Sequence, residues 1–338
     1  MKIGHHNLEA GPFVIAEIGV AHEGKFDLAE MMIDQAAATG AHAVKFQTFS
    51  VSRNRYLSNS IDVERFGRTK GYEFSEDQWR SLAARAKARE ILFLSTPFDL
   101  DAADLIDQLA PAFKIASGDL TFYPLLAHVA AKGKPIILST GMATHDEIGK
   151  ALKAISAASP LPLAEQVVLL HCVSAYPCPP EAVNLRAMDT LARTFGLRVG
   201  YSNHMLGSLA AELAVACGAA VIEVHFTYRK ENQTFRDHTL SFDQGDLTAF
   251  MEKIAQIEII LGDGSVERAA IESDNAIMMR RSLALDVNLR CGDRIEARHI
   301  TFLRPATGLG TDRLDDVVGR TLNKDMIRGT ILTEGDLV

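Results

Sequence analysis

Phe13-Val-Ile-Ala-Glu-Ile-Gly19, Ala43-Val-Lys-Phe-Gln-Thr-Phe49 and Ile91-Leu-Phe-Leu-Ser-Thr96 are short apolar runs, each with polar residues near its end. Five more follow: Phe113–Ser117, Pro135–Thr140, Val167–Val173, Arg198–Ser202 and Val221–Phe226. They are near-continuous rather than alternating, as parallel strands buried on both faces should be. Amphipathic stretches lie between them, among them Asp27–Ala38, Glu76–Arg89, Ala102–Gln108, Thr144–Ser156 and Gly207–Cys217. Asp27 and Ser75 stand where helix N-caps are expected, and Gly40 and Gly218 stand as C-terminal stops. Eight βα units over roughly 250 residues have the rhythm of a closed (β/α)8 TIM barrel. An open doubly wound sheet is the competing reading, but no Gly-x-Gly-x-x-Gly turn follows the first run.

The pattern changes after the helical stretch Gln244–Leu261. Residues 1–262 form the barrel domain in this reading, 263–280 a linker, and 281–338 a small β-rich domain. That last segment carries the runs Ser282–Val287, Ile300–Leu303 and Ile331–Leu332, with glycine turns at Gly292, Gly308 and Gly329. About 60 residues make a marginal core alone, so the segment is expected to pack on another surface. Leu289–Ile295 and Met326–Leu332 echo one another in turn chemistry.

A chain of 338 residues with 47% hydrophobic and 23% charged residues has ordinary soluble composition. The net charge of −8 argues against a nucleic-acid surface, while local lysines can still attract anions. No apolar run is long enough to span a bilayer and the first ten residues do not read as a signal peptide. Cys172, Cys178, Cys217 and Cys291 show neither zinc-knuckle spacing nor a disulfide framework, so a reducing, cytoplasmic location is expected.

In a parallel barrel, chemistry collects at the carboxyl ends of the strands. Those ends supply Glu17, Lys45 and Gln47, then Ser95-Thr96, Lys114 and Ser117, then Ser139, His171, Tyr176, Ser202, His204, Glu223 and His225. Lys45 and Lys114 lie inside apolar runs, where an ammonium is costly unless paired. Each could meet Glu17 or Glu223; one could form a Schiff base; or both could bind an anion with Thr96, Ser117, Ser139 and Ser202. Four hydroxyls beside two lysines favour the anion. His204 and His225 end neighbouring strands, with Glu223 on the same face as His225. They are candidate ligands for a divalent metal, Mn2+ ahead of Zn2+ or Mg2+ given two nitrogens and otherwise oxygen donors. His171 and His22 rank lower, and His238 beside Asp237 is a candidate substrate contact or turn cap.

The chain resembles the sialic acid (N-acetylneuraminate) synthase family. The resemblance rests on Glu17-Ile-Gly-Val-Ala-His-Glu-Gly24, Lys45-Phe-Gln-Thr48, Ser95-Thr-Pro-Phe-Asp99, Lys114-Ile-Ala-Ser-Gly-Asp119 and Ser139-Thr-Gly-Met142. His171-Cys-Val-Ser-Ala-Tyr-Pro177, Ser202-Asn-His204 and Glu223-Val-His-Phe-Thr227 continue it in order. Arg304-Pro-Ala-Thr-Gly-Leu-Gly310 is similar to that family's C-terminal antifreeze-like (SAF) domain. The resemblance implies a metal-assisted condensation of phosphoenolpyruvate with an N-acetylmannosamine-type aldose, giving a nonulosonic acid and phosphate. It further implies that Lys45, Thr96, Lys114, Ser117, Ser139 and Ser202 bind phosphoenolpyruvate, and that His204 and His225 hold the metal. Glu17, Gln47, Tyr176 and Asp237 would contact the sugar, with Arg304 reaching in from the tail of a domain-swapped homodimer. Glu223 would be the base or orienter for water, with Lys45 and Lys114 stabilising charge.

Against the family pattern, Ala21 stands for Asn, Asn203 for Asp and Ser174 for the Asn of some members. The loop Tyr228–Arg236 lacks Pro-Gly-Pro and is one residue longer. A lost charge at Asn203 is expected to retune the metal shell or substrate contacts, leaving sialic, legionaminic, pseudaminic and spore-coat sugars all open. A Schiff-base aldolase and a non-catalytic carbohydrate-binding protein are the rival readings.

Overall fold

The computed structural model describes residues 1–50, 63–231, 233 and 237–338, and these fall into two units, Met1–Gly262 and Asp263–Val338. Eight parallel strands build the first: Phe13–Gly19, Ala43–Thr48, Leu92–Pro97, Phe113–Ile115, Ile136–Ser139, Val167–His171, Arg198–Asn203 and Val221–His225. The ladder runs from the third strand through the second and first to the eighth, then down through the seventh, sixth and fifth to the fourth. First and eighth strands are thus bonded neighbours, and third and fourth pack side by side at the remaining seam. The strands are buried almost throughout, which accounts for their unbroken apolar sequence. The expected (β/α)8 barrel is the observed fold.

Strand ends shift by a residue or two from the sequence reading, most at the fourth and sixth. At the fourth the ladder stops at Ile115 because Ser117–Asp119 already turns as a 3-10 helix. Ser75 caps the helix Glu76–Ala88 as expected, its hydroxyl accepting from the Gln78 amide while Gln78 reaches back. Asp27 does not cap: the helix Phe26–Ala37 starts one residue earlier, with Lys25 at the cap position. Asp27 therefore sits in the first turn, where its charge still suits the helix dipole. Gly40 and Gly218 carry φ of +82° and +85°, the left-handed stops expected after their helices.

A hairpin of Lys2–Ile3 and His6–Asn7 precedes the barrel, and His6 packs on His42 with ring centroids 4.4 Å apart. His42 accepts the Val14 amide at Nδ1, and burial, with His6 and His5 nearby, lowers it to about 4. His22 is stacked on Phe74, and burial lowers it to about 3. Both folded values lie below the ordinary 6.5, so the unfolded chain takes up these protons first as pH falls. Their contribution to stability is whole above pH 6.5 and is lost between 6.5 and about 3. Denaturant midpoints should therefore fall steadily from pH 6.5 to 4.5, this pair adding about two protons of dependence to that of the other buried imidazoles. His42→Asn should flatten that slope; an unchanged slope would contradict the assignment.

In the second unit Ser282–Leu285 pairs antiparallel with Ile300–Leu303 over a core of Leu283, Leu285, Ile295, Val317, Leu322 and Leu332. Ile331–Leu332 is not a strand; Ile331 makes a single bridge to Ala284. The two echoed segments meet, Leu289 and Met326 exchanging amide hydrogen bonds of 3.0 and 2.8 Å. Among the described residues no helix is long and apolar enough to cross a membrane, and all four cysteines are free.

Candidate active site

Strand register decides which side chains meet. Glu17 lies beside Lys45 on one flank and His225 on the other; Glu223 lies beside Ser202. Residues level with one another in a parallel sheet point to the same side. The result is a cavity of about 410 Å³ lined by Glu17, Lys45, Gln47, Thr96, Lys114, Ser117, Ser139, Tyr176, Ser202, His204, Glu223 and His225. Twelve of the sequence-derived residues thus converge.

Of the two further candidates, Asp237 is not among the lining residues. Asp237 begins the short helix Asp237–Leu240; its charge contributes, after burial and Cys172, to pushing the Tyr176 phenol up. Arg304 belongs to the second unit, one residue past Ile300–Leu303. Sequence reasoning gave no role to Phe98, Met142 or Cys172, which also line the cavity, as does Ser174, noted there as a departure from the family pattern. Their signal was position alone, since each follows closely on a strand end.

The charges form one buried network. Lys45 Nζ lies 2.5 Å from Glu17 and 3.6 Å from Glu223, and donates to Thr96 Oγ1 at 3.1 Å. Lys114 Nζ is 3.4 Å from Glu223, whose carboxylate also accepts from Ser202 at 2.8 Å. Gln47 donates to Glu17 at 3.2 Å. Burial works against ionisation of Glu223, yet Lys114 and Lys45 outweigh it and hold that carboxyl down at about 2. Burial dominates at Glu17 and raises it despite Lys45. Burial likewise lowers Lys114, whereas at Lys45 it is outweighed by Glu17 and Glu223, which raise the ammonium. Both lysines therefore meet carboxylates and also face the cavity, so the pairing and ligand-binding readings describe the same residues. Among the described residues the buried Ser139 hydroxyl has no hydrogen-bond partner.

Gly141 follows that serine and gives its amide to Ser117 Oγ at 3.0 Å. A Cβ there would fall 2.5 Å from Ser174 Oγ, 2.8 Å from Ser117 Oγ and 3.0 Å from Cys172 Sγ, so only glycine lets the backbone press this close.

His204 and His225 stand with ring centroids 5.4 Å apart, Tyr176 4.2 Å from the first. His204 Nδ1 is 2.6 Å from the Val173 carbonyl, which fixes the proton there and leaves Nε2 as a lone-pair donor. Burial lowers both, His225 to about 3, so both imidazoles are neutral as metal ligation requires. Among the described residues no group of three or more His, Cys, Asp or Glu side chains could hold a metal. A divalent ion here would rest on the two imidazoles, with oxygen donors from water or substrate. His171 is turned to the Val183 carbonyl at 2.7 Å. His238 is buried between Thr227 Oγ1 at 2.7 Å and Glu23 at 3.3 Å, bracing two loops. Asn203, expected to retune a metal shell or substrate contacts, is hydrogen-bonded within its own turn. Its amide donates to the Met205 and Gly207 carbonyls, both at 3.1 Å, and shapes the turn behind His204. Ala21 is in the core and Ser174 in the cavity wall. Of the loop Tyr228–Arg236, Asn232 and residues 234–236 lie outside the described residues.

This geometry can be set against known proteins. The NeuB family matches over residues 32–266, and the SAF domain over residues 280–338. The chain belongs to the NeuB family. It is 37% identical to an N,N'-diacetyllegionaminic acid synthase of Legionella pneumophila, covering 95% of this chain and 93% of that one. It is 31% identical to a pseudaminic acid synthase of Campylobacter jejuni, covering 99% of both. The structure of an N-acetylneuraminic acid synthetase from Leptospira borgpetersenii superposes with a TM-score of 0.71 at 34% identity, covering 78% of this chain and 90% of that one. The barrel is therefore followed by a small SAF domain, and the chain is a phosphoenolpyruvate-using synthase of the NeuB family, as the resemblance implied.

Proposed function

We propose that this NeuB-family chain condenses phosphoenolpyruvate with an N-acylated aldose of the N-acetylmannosamine type, yielding a nonulosonic acid and inorganic phosphate. The observation that carries this reading is the pairing of Lys45 and Lys114 with a partnerless Ser139 hydroxyl, in the same cavity as two neutral histidines. Lys45, Lys114, Thr96, Ser117, Ser139 and Ser202 would take the phosphate and carboxylate oxygens, in surroundings dry enough to strengthen each contact. Glu17, Gln47 and Tyr176 would face the sugar, with Asp237 and Arg304 as further contacts.

C3 of the enol attacks the aldehyde carbon, whose oxygen takes up a proton. Water adds to C2 and gives up a proton, and the resulting hemiketal phosphate breaks its C–O bond to release phosphate. A divalent ion on His204 and His225, Mn2+ in our assignment, would supply Lewis acidity toward the aldehyde oxygen. Glu17, held above the ordinary carboxyl range, is suited to carry a proton toward that oxygen. Glu223, held at about 2, stays a carboxylate and orients water rather than removing its proton. We further assign a homodimer. Ile259, Ile260, Val266 and Ile271 are each at least 80% exposed, apolar surface of the kind a second copy would cover.

The test is phosphate release from phosphoenolpyruvate against a panel of N-acylated hexosamines, including mono- and diacetylated ones, with and without Mn2+. Release should require both aldose and metal. A lysine adduct trapped by borohydride with pyruvate, or no release with any sugar, would overturn the reading.

A further inference from the structure

The link from barrel strand Ile136–Ser139 to helix His145–Ala158 is a tight turn, the Ala143 amide donating to the Thr140 carbonyl at 3.2 Å. Thr140 is fastened to the Leu170 carbonyl twice, by its amide at 2.9 Å and its hydroxyl at 3.0 Å. Gly141 is pressed on Ser117, Ser174 and Cys172. The third residue of the turn, Met142, has φ +62°. Turns of this kind place glycine or asparagine there, because a side chain in the left-handed region is strained. Glu23, Glu90 and Asn184 share that conformation; Glu90 and Asn184 end helices, where it is common. Met142, like Glu23, ends none.

Met142 is also 72% exposed. It lines the active-site cavity and, together with Cys172, a neighbouring cavity of about 420 Å³. Two costs therefore fall on one residue: a strained backbone and an apolar chain left in water. Neither serves the fold, since glycine would remove both. The turn behind it is anchored at four points, so the place of Met142 beside the Ser117 and Ser139 hydroxyls is fixed.

We infer that Met142 is a substrate-covering residue, its thioether closing over one face of the bound enol phosphate and separating it from the adjoining chamber. The inference rests on the reading of the cavity as a phosphoenolpyruvate site. Methionine suits the task because its unbranched chain adapts to an irregular surface. A ligand-covered methionine gains on binding what it forgoes in the empty enzyme.

The experiment is titration calorimetry of phosphoenolpyruvate into the wild type, Met142→Gly and Met142→Leu, with thermal midpoints of all three. Met142→Gly should bind about tenfold more weakly or worse while its midpoint stays equal or rises. Met142→Leu should bind within about threefold of wild type, since it keeps the apolar cover. Equal binding by Met142→Gly and wild type would overturn the inference and leave the function standing. So would weakened binding that tracks a lowered midpoint and is not restored by leucine. A wild type that binds no phosphoenolpyruvate would overturn the functional reading itself, and this inference with it.

Discussion

Lys45→Met abolishes phosphate release, by about a thousandfold or more, and lowers stability by about 3–5 kcal/mol. Both effects follow from the position of one ammonium. Lys45 sits between Glu17 and Glu223, fully inside the barrel mouth. Removing it leaves two buried carboxyls beside one remaining cation, so both become easier to protonate and the folded state loses its compensation. The same change removes a charge that would face the phosphate. These two roles separate in the double variant Lys45→Met/Glu17→Gln. It should regain most of the lost stability, because the orphaned carboxylate has gone, and none of the lost phosphoenolpyruvate affinity. Recovery of that affinity with stability would mean that Lys45 merely neutralises Glu17. Chemical denaturation and phosphoenolpyruvate titration on the three proteins decide it.

His225→Ala should lose turnover by a comparable factor while keeping its fold. Its midpoint should move little relative to Lys45→Met, because a neutral ring leaves no buried charge behind. The Mn2+ electron paramagnetic resonance spectrum gives a readout independent of activity: wild type should show bound ion at micromolar protein, and the variant only the free hexaaqua signal. Phosphoenolpyruvate should still bind the variant within about threefold, since Lys45 and Lys114 are untouched. Unchanged Mn2+ binding would remove His225 from the ligand set.

The barrel was legible because fully buried parallel strands write themselves as apolar runs, and Lys45 and Lys114 stood out as charges inside such runs. Their convergence with His204 and His225 then followed from register, which eight consecutive βα units nearly dictate. What escaped was whatever depends on backbone angle or exact contact. The start of the helix at Phe26 rather than Asp27 turns on a local dihedral choice that side-chain type biases only weakly. Asn203 drew attention as a missing charge beside His204, yet its amide is spent on two carbonyls of its own turn. Met142 carried no signal in composition, because its left-handed φ is invisible in residue type. Asp237 and Arg304 were placed through resemblance; Asp237 is not among the residues lining the cavity, and Arg304 belongs to the second unit.

A crystal of the protein soaked with phosphoenolpyruvate should hold an intact enol phosphate in the barrel mouth, its anionic oxygens on Lys45, Lys114 and the Ser139 hydroxyl, with the methylene carbon open toward His204 and His225. Continuous density from either lysine into a pyruvyl carbon, or a ligand bound away from both lysines, would contradict it.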